Sequence, residues 1–567
     1  MSESHSKEAL WESVSDTQLS NQTPSESSDS ESAVNFDRRE VKEQTPEVAD
    51  DVVAPDETPA IIEEPKSVPQ YKPAFSLGMK LPFAIDGLVG FVTCTSTNKF
   101  YAVFEHREAY DAVNIESSQM TDRLRRAFLR KEQILKPKEI QEIKETLLSV
   151  ASVHAKTGLV LPRVAPCGAG IEIDLCNDGF RTVVIDRKDV KVQTTARNLF
   201  FRPTQVRPLP LPVLDGRADV NLLKQYINLD GVAFQLLVAY MTFTIASPKI
   251  ENSKYVFLVL RGAQGTGKTF ASKVIKNLID PSSIDAQTLP TSARELGIML
   301  QSCHLALVDN VRDLGAHMSD MLCMASTGGV TVQRKLYTDD SLNALKLHGS
   351  ILFNGIHPFM GQSDFSDRTV CLELSQIKSE NRRSDRELLA ALDQDSPLIL
   401  GGLYRLIQRI LQVLPEMQAD APTRMVEFCK WIAALEHVLG LPYKSLQDGY
   451  KNTLNESQLE SLIDNPLASV ILQFCDKEPE WSGTPTELYE ELTNRASFSN
   501  QRSRAWPSSA ASMSKRLHGL QGPLSSQGIH IHISRGKERR IVLSNCALTS
   551  QPAQSSVHPT TPNHSEF

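Results

Sequence analysis

Residues 255–269 read YVFLVLRGAQGTGKT, and the fold turns on how this stretch is read. Residues 255–260 are an apolar, β-branched and aromatic run, the composition of a strand buried on both faces. The run leads into Gly262, Ala263, Gln264, Gly265, Thr266, Gly267, Lys268 and Thr269, which fit G-x-x-x-x-G-K-[ST]. Residues 270–278, starting at Phe270, then suit a helix. Strand, glycine-rich turn and helix in that order are the context a phosphate-binding loop requires. The glycines let backbone N–H groups curl around phosphate oxygens, and the helix N-terminus adds partial positive charge. Lys268 is expected to reach the β- and γ-phosphates of ATP, and the Thr269 hydroxyl to ligate Mg²⁺.

Working downstream, residues 292–301 read as a helix and 304–308 as an apolar strand that ends in Asp309. A carboxylate at the end of a buried strand, after the loop lysine, suits a second Mg²⁺ ligand. Residues 350–353 are another apolar strand and end in Asn354. Its amide orients the attacking water or senses the γ-phosphate, or else merely closes a turn. Arg368 stands just before a strand at 369–374. It reads either as an arginine finger offered to a neighbouring subunit's nucleotide or as half of a structural Arg–Asp pair. Between these strands, residues 326–337 read STGGVTVQRKLY, glycines followed by alternating residues and two bases. That pattern suits a hairpin entering a central pore, with Arg334, Lys335 and Lys346 against the phosphates of single-stranded DNA.

The order GAQGTGKT (262–269), LALVDN (305–310), ASTGGVTVQRKLY (325–337), SILFNG (350–355) and SDFSDRTVCLEL (363–374) resembles the superfamily 3 helicases of the AAA+ class. More narrowly, it is similar to the helicase half of phage and plasmid primase-helicases and to related ATP-binding proteins of prophages and integrative elements. The resemblance covers 250–380 closely and 80–545 loosely. It implies a ring, usually a hexamer, that hydrolyses ATP between subunits and moves along DNA. It also implies roles: Lys268 and Thr269 as Walker A, Asp309 as Walker B, Asn354 as sensor 1 and Arg368 as the finger. Two positions depart from the pattern. Asn310 stands where many relatives place the glutamate that polarises water, and an amide is no general base. Val330 stands where an acid often follows the paired glycines. The N-terminal half shows no zinc-ligand cluster, so no primase is expected.

Upstream, residues 75–250 look like mixed α/β structure. Residues 100–104 read as a strand, and 118–129 and 137–155 as helices by apolar spacing. Residues 170–175 and 181–192 read as strands joined by a turn at Asn177, Asp178 and Gly179. Ile171, Ile173 and Leu175 would face inward, with Glu172 and Asp174 on a solvated face. Residues 202–212 are Pro-rich and read as an extended connector, and 220–227 and 231–246 as helices.

Downstream of the core, 388–413 and 423–439 read as helices, with Gly440 as the stop of the second. Three helices (467–475, 485–496, 508–520) and a hairpin (528–534, 539–543) then make a winged helix. Residues 502–545 hold eight Lys or Arg against the single acid Glu538. Lys515 and Arg516 on the helix, and Arg535, Lys537, Arg539 and Arg540 on the wing, suit duplex DNA.

The net charge of −8 is unevenly spread. Residues 1–70 hold 17 acidic and 5 basic residues, whereas the rest hold 51 and 55, so the total does not argue against a nucleic-acid partner. The nine cysteines are scattered without a C-x-x-C pair, which suits reduced thiols in a cytoplasm. The first residues form no apolar signal sequence, and no apolar run is long enough for a bilayer, so no membrane partner is expected.

The resulting expectation is an α/β protein: a P-loop AAA+ ATPase core with an α/β N-terminal region and a C-terminal winged helix. The expected division is a disordered acidic tail at 1–74, an α/β accessory domain at 75–215 and the ATPase core at 216–385. A helical extension at 386–460, the winged helix at 461–548 and a disordered tail at 549–567 complete it. The expected activity is ATP- and Mg²⁺-dependent DNA unwinding in replication of a mobile element by a homo-hexamer, and the acidic tail reads either as a solvated spacer or as a docking segment for a replication protein. The alternatives are an ATP-gated DNA-binding switch, which Asn310 favours, and a factor that loads a partner.

Overall fold

The computed structural model describes residues 81–106, 109–312, 314–334, 342–355, 363–378, 380, 382–420, 423–503, 505–534 and 539–546. The tails expected at 1–74 and 549–567 lie outside these residues.

The first sheet is built by alternation. Strands β1 (Leu88–Cys94), β2 (Phe100–His106) and β3 (Ala109–Asn114) form an antiparallel meander. Phe91, Ala102, Phe104 and Val113 point one way, onto Met120, Leu124, Ile140 and Leu147 of helices α1 (Ser118–Leu129) and α2 (Pro137–His154). Val92, Tyr101, Val103 and Ala112 point the other way into a second cluster. Strand β4 (Lys156–Gly158) then pairs parallel to β1 and gives the order β3-β2-β1-β4.

A second sheet follows. The short β5 (Val160–Leu161) pairs later with β10 (Leu199–Phe200), and β6 (Val164–Cys167), β7 (Gly170–Asp174), β8 (Thr182–Ile185) and β9 (Val190–Gln193) form an antiparallel sheet between them. The run read as one strand at 181–192 is two, because Asp186 Oδ1 accepts the N–H groups of Lys188 (2.7 Å) and Asp189 (2.9 Å) and turns the chain. Glu172 and Asp174 are not on a solvated face: both are buried. Glu172 accepts from Thr182 Oγ1 (2.9 Å), from the backbone of Arg197 and Asn198, and from Asn198 Nδ2 (2.8 Å). Asp174 takes a bidentate pair from Arg202 (2.7 and 2.8 Å). The alternation was read correctly, but chain packs over both faces, and the acids are retained there because every oxygen finds a donor.

A six-residue 3-10 helix at Val220–Gln225 replaces the longer helix expected at 220–227 and leads to α3 (Gly231–Ile245). Helix α3 buries eleven of its fifteen residues and is apolar all round, as a helix inside a core must be. The parallel sheet then forms: β11 (Phe257–Arg261), α4 (Lys268–Ile279), α5 (Ala293–Gln301), β12 (Leu305–Val308), α6 (Ala316–Thr327), the hairpin β13 (Val330–Arg334) and β14 (Leu342–Lys346), β15 (Ser350–Asn354), α7 (Ser363–Ser366) and β16 (Thr369–Glu373). Its order is β12-β15-β11-β16, all parallel, and Gln287 adds a parallel bridge to Val308. Leu258 and Leu260 pack with Val274, Ile275 and Leu278 of α4 on one face. Phe257 and Val259 pack with Leu296, Met299 and Leu322 of α5 and α6 on the other. Full burial on both faces is why this strand reads as a continuous apolar run.

Helix α8 (Asp385–Val413) carries Pro397 in its interior. The carbonyls of Pro397 and Leu398 accept from Val213 N (2.8 Å) and Asp219 N (3.2 Å) of a preceding segment. Residues 213–219 thus run as a strap across α8. Gly401 makes room for it: a Cβ there would stand 1.7 Å from the Val213 carbonyl oxygen. One hydrophobic cluster consequently joins Ile173, Val183 and Ile185 of the second sheet to α3, the parallel sheet and Leu400 and Tyr404 of α8, across the boundary expected at 215. Helix α9 (Val426–Leu439) ends on Gly440 in the left-handed conformation (φ 65°), and α10 (Ser445–Asp464) packs beside it.

The last elements are α11 (Pro466–Lys477), β17 (Glu480–Gly483), α12 (Pro485–Arg495), α13 (Phe498–Arg502), α14 (Ala510–Ser526), β18 (Ile529–Ile533) and β19 (Ile541–Asn545). The strands form an antiparallel sheet in the order β17-β19-β18. They and the helices share their own core, including Ile471, Leu488, Met513, Leu517 and Leu543. No helix among the described residues is long and apolar enough to cross a membrane.

Candidate functional site

The loop 262–267 connects the end of β11 to the start of α4. Gly262 (φ 141°), Gly265 (φ 83°) and Gly267 (φ 79°) take conformations that a side chain would strain, and a Cβ on Gly262 would meet the Leu374 carbonyl at 2.8 Å. The Lys268 ammonium folds back and donates to the carbonyls of Gly262 (2.7 Å) and Ala263 (2.8 Å). Burial lowers its pKa from the ordinary lysine value. Thr266 Oγ1 donates to the Ala263 carbonyl (3.1 Å) and stiffens the loop.

At the neighbouring strand ends, Asp309 follows β12 and Asn354 closes β15. The Asp309 N–H donates to the Gln287 carbonyl (3.0 Å), which fixes the turn after the strand. Thr269 Oγ1 stands 3.4 Å from Asp309 Oδ1. Adjacent oxygens in an octahedral Mg²⁺ shell lie about 3 Å apart, so this hydroxyl and carboxylate fit two neighbouring positions. Asn354 is buried and spans the gap between the two turns: its Oδ1 accepts the Asn310 N–H (2.8 Å), and its Nδ2 donates to Ser272 Oγ (3.0 Å). Ser272 Oγ donates in turn to the Lys268 carbonyl (2.8 Å). Asn310 sits at φ 58°, with its side chain exposed. Asparagine tolerates that left-handed conformation, which explains the residue locally.

Arg368 is remote from this group within the chain. It precedes Thr369, which pairs with Phe257 at the start of β11, whereas Arg261 at the loop end pairs with Glu373. It is 7% exposed; Nη1 donates to the Asp364 carbonyl, and Nε has no partner among the described residues. Asp364 pairs instead with Arg424 (3.1 Å).

The hairpin read at 326–337 is present as the antiparallel pair β13 and β14, whose tip lies outside the described residues, as does Lys335. Arg334 pairs with Leu342 beside the tip, and Lys346 pairs with Val330 at the base. The two bases are therefore about 13 Å apart along the strand rather than clustered. The base is seated on α5: Leu345 packs where a Cβ on Gly297 would be, and Gln301 Nε2 donates to the Lys346 carbonyl (3.4 Å). At the C-terminus, Lys515 is exposed on α14, while Arg516 is committed to the Ala505 carbonyl. Arg539 and Arg540 are exposed at the start of β19, and Arg535 and Lys537 lie outside the described residues.

A cleft of about 600 Å³ opens beside the loop, lined by Gly265, Thr266, Gly267 and Phe270 on one side and by the connection from β16 to α8 on the other. Sequence reading missed that second wall, although Lys378, Arg382 and Arg383 mark it as basic.

A glycine-rich loop at the end of a central parallel strand, a hydroxyl–carboxylate pair and a bridging amide thus come together in a mixed α/β fold. Residues 223–458 match the family model described as "Actinomycete integrative conjugative element replication protein", and residues 467–556 match that of the "AICE RepA C-terminal domain". These matches support a replication protein of a mobile element. Among solved structures, the chain is similar to one titled "SCCmec type IV Cch - active helicase", at 10% identity over 83% of this chain and 96% of that one, with a TM-score of 0.38. It is also similar to the A-form apo C-terminal region of NrS-1, at 11% identity over 81% and 96%, with a TM-score of 0.34. No curated protein matches the chain.

Proposed function

We propose that the chain is a Mg²⁺-dependent ATPase that drives DNA unwinding during replication of an integrative conjugative element. The observation that carries this reading is the convergence of Lys268, Thr269, Asp309 and Asn354 at the ends of three adjacent parallel strands. The nucleotide supplies the phosphoanhydride and Mg²⁺ the charge that offsets its oxygens. Lys268 exchanges the Gly262 and Ala263 carbonyls for the phosphates, and the loop N–H groups bind them. Thr269 and Asp309 hold Mg²⁺. Asn354, fixed by Asn310 and Ser272, orients the water that attacks. Arg368 serves a neighbouring subunit of a hexameric ring; its place at the strand end away from its own loop supports action in trans.

The hairpin with Arg334 and Lys335 grips single-stranded DNA, and its seat on α5 transmits motion from the sheet. The C-terminal elements act as a winged helix on duplex DNA through Lys515, Arg539 and Arg540. The deciding experiment is ATP hydrolysis with and without single-stranded DNA, on wild type and Lys268→Ala. DNA-stimulated turnover that the variant lacks supports a motor, and normal turnover in Lys268→Ala sinks the assignment.

A second reading is an ATP-gated DNA-binding switch. It is favoured by Asn310, which places an amide where a general base would stand. ATP binding without turnover would select it.

A further inference from the structure

The loop has two sides, and they differ in what they offer. Lys268, Thr269 and Asp309 occupy one side, and none of them lines the cleft. The cleft is on the other side, walled by Gly265, Gly267 and Phe270 and by Ile377, Lys378 and Arg382 from the connection between β16 and α8. The two walls nearly touch. Arg382 Nη2 stands 3.4 Å from where a Cβ on Gly265 would be, and Ile377 Cδ1 stands 3.1 Å from that of Gly267. The glycines therefore serve this contact as well as the turn.

Arg382 is exposed and has no hydrogen bond or ion pair among the described residues. A guanidinium held against a phosphate loop with its donors uncommitted is suited to bidentate phosphate binding. If the terminal phosphate lies with Lys268, Thr269 and Asp309, the phosphate reached from the cleft is the one next to the ribose. We infer that Arg382 binds the α-phosphate of a nucleoside di- or triphosphate from the same chain, with Phe270 and Ile377 flanking the nucleoside. This rests on the nucleotide reading above and adds to it a residue outside the loop. Arg382 also leads directly into α8 through the Ser384 cap, so the contact ties the helical layer to nucleotide occupancy.

The test is calorimetric titration of the full chain with ATP and with ADP, each with Mg²⁺, for wild type, Arg382→Gln, Arg382→Lys and Lys268→Ala. Losing a charge-assisted bidentate contact should weaken both nucleotides in Arg382→Gln by the same factor, about tenfold. Arg382→Lys, which keeps the charge and loses the fork, should fall between. A loss confined to ATP would place Arg382 at the terminal phosphate and overturn the inference. Unchanged affinities in Arg382→Gln, with Lys268→Ala still defective, would overturn it while leaving the nucleotide site standing. If wild type binds neither nucleotide, the nucleotide reading falls and this inference with it.

Discussion

Arg163 and Asp280 form an ion pair with neither partner in contact with water: Nε lies 3.0 Å from Oδ1, and each side chain is 1% exposed. Arg163 stands just before β6, and Asp280 caps the C-terminal end of α4, whose first residue is Lys268. The remaining Arg163 donors go to the carbonyls of Asp174 (3.3 Å), Arg207 (3.0 Å) and Pro281 (3.2 Å). Asp280 accepts in addition from Lys276 Nζ (3.1 Å) and from the backbone N–H groups of His304 (2.7 Å) and Leu305 (3.2 Å). Burial alone would push the Asp280 carboxyl up, but Lys276 and Arg163 outweigh it and hold it well below the usual carboxylate range. The second sheet is thus fastened to the helix that follows the glycine-rich loop.

Removing one partner of such a pair strands the other. Arg163→Leu should cost roughly 3–5 kcal/mol and lower Tm by several degrees. Thermal unfolding of the purified chain checks this. A Tm within a degree of wild type would show that the pair does not fasten the sheet.

Arg368 offers a test of action between subunits. Arg368→Ala should keep ATP binding and lose hydrolysis. Mixing it with Lys268→Ala, itself inactive, should restore turnover, because some interfaces then join an intact loop to an intact arginine. Two inactive variants that stay inactive when mixed, under conditions that let subunits exchange, would reduce Arg368 to its bond with the Asp364 carbonyl.

Two histidines make the fold sensitive to mild acid. Burial pushes both His304 and His348 down to about 4. His304 donates from Nε2 to the Thr244 carbonyl (2.8 Å), and His348 faces the Ser253 carbonyl (2.8 Å). Both are neutral in the fold, whereas the unfolded chain takes up protons below about 6.5. The stability they preserve is therefore complete above about pH 6.5 and is lost as pH falls towards 4, at about 2 kcal/mol each by pH 5. Tm should be clearly lower at pH 5 than at pH 7 in the same salt, and His348→Gln should lose part of that difference.

Gly401 and Gly297 should answer differently to alanine. At Gly401 the new Cβ meets backbone, the Val213 oxygen at 1.7 Å, which cannot move without lifting the strap from α8. At Gly297 it meets side chain rather than backbone, Leu345 Cδ2 at 2.4 Å and Cγ at 2.6 Å. Gly401→Ala should destabilise by roughly 3 kcal/mol and Gly297→Ala by about 1 kcal/mol or less. Equal Tm values for the two would contradict the close approach at 401.

The parallel sheet was legible because its strands are buried on both faces and leave continuous apolar runs, as at 257–260 and 305–308. The loop was legible because glycines at fixed spacing have a backbone meaning. Helix α10 was missed: it carries Gly449, Asn452 and Asn455, poor helix formers, and buries only Leu446, Tyr450, Leu454, Ser457 and Leu462. Its glycine makes sense only in three dimensions, where Val232 Cγ1 packs 2.3 Å from the Cβ position. The burial of Glu172 and Asp174 was misread because alternation tells which residues share a face and not what covers it. The basic wall of the cleft escaped for a related reason. Lys378, Arg382 and Arg383 look like a solvated run until the fold sets Arg382 against Gly265.

The strap over α8 also bears on how the chain is made. The N–H groups of Val213 and Asp219 find their acceptors at residues 397 and 398, about 180 residues later in synthesis. At typical rates the ribosome needs roughly 10 to 40 s to deliver them. During that interval the second sheet has its strands but not its cover, and Val183, Ile185 and their neighbours wait with apolar faces open. The N-terminal half therefore depends on the arrival of α8 to finish folding, and a nascent chain stalled before residue 413 is the form that chaperones and proteases should recognise first.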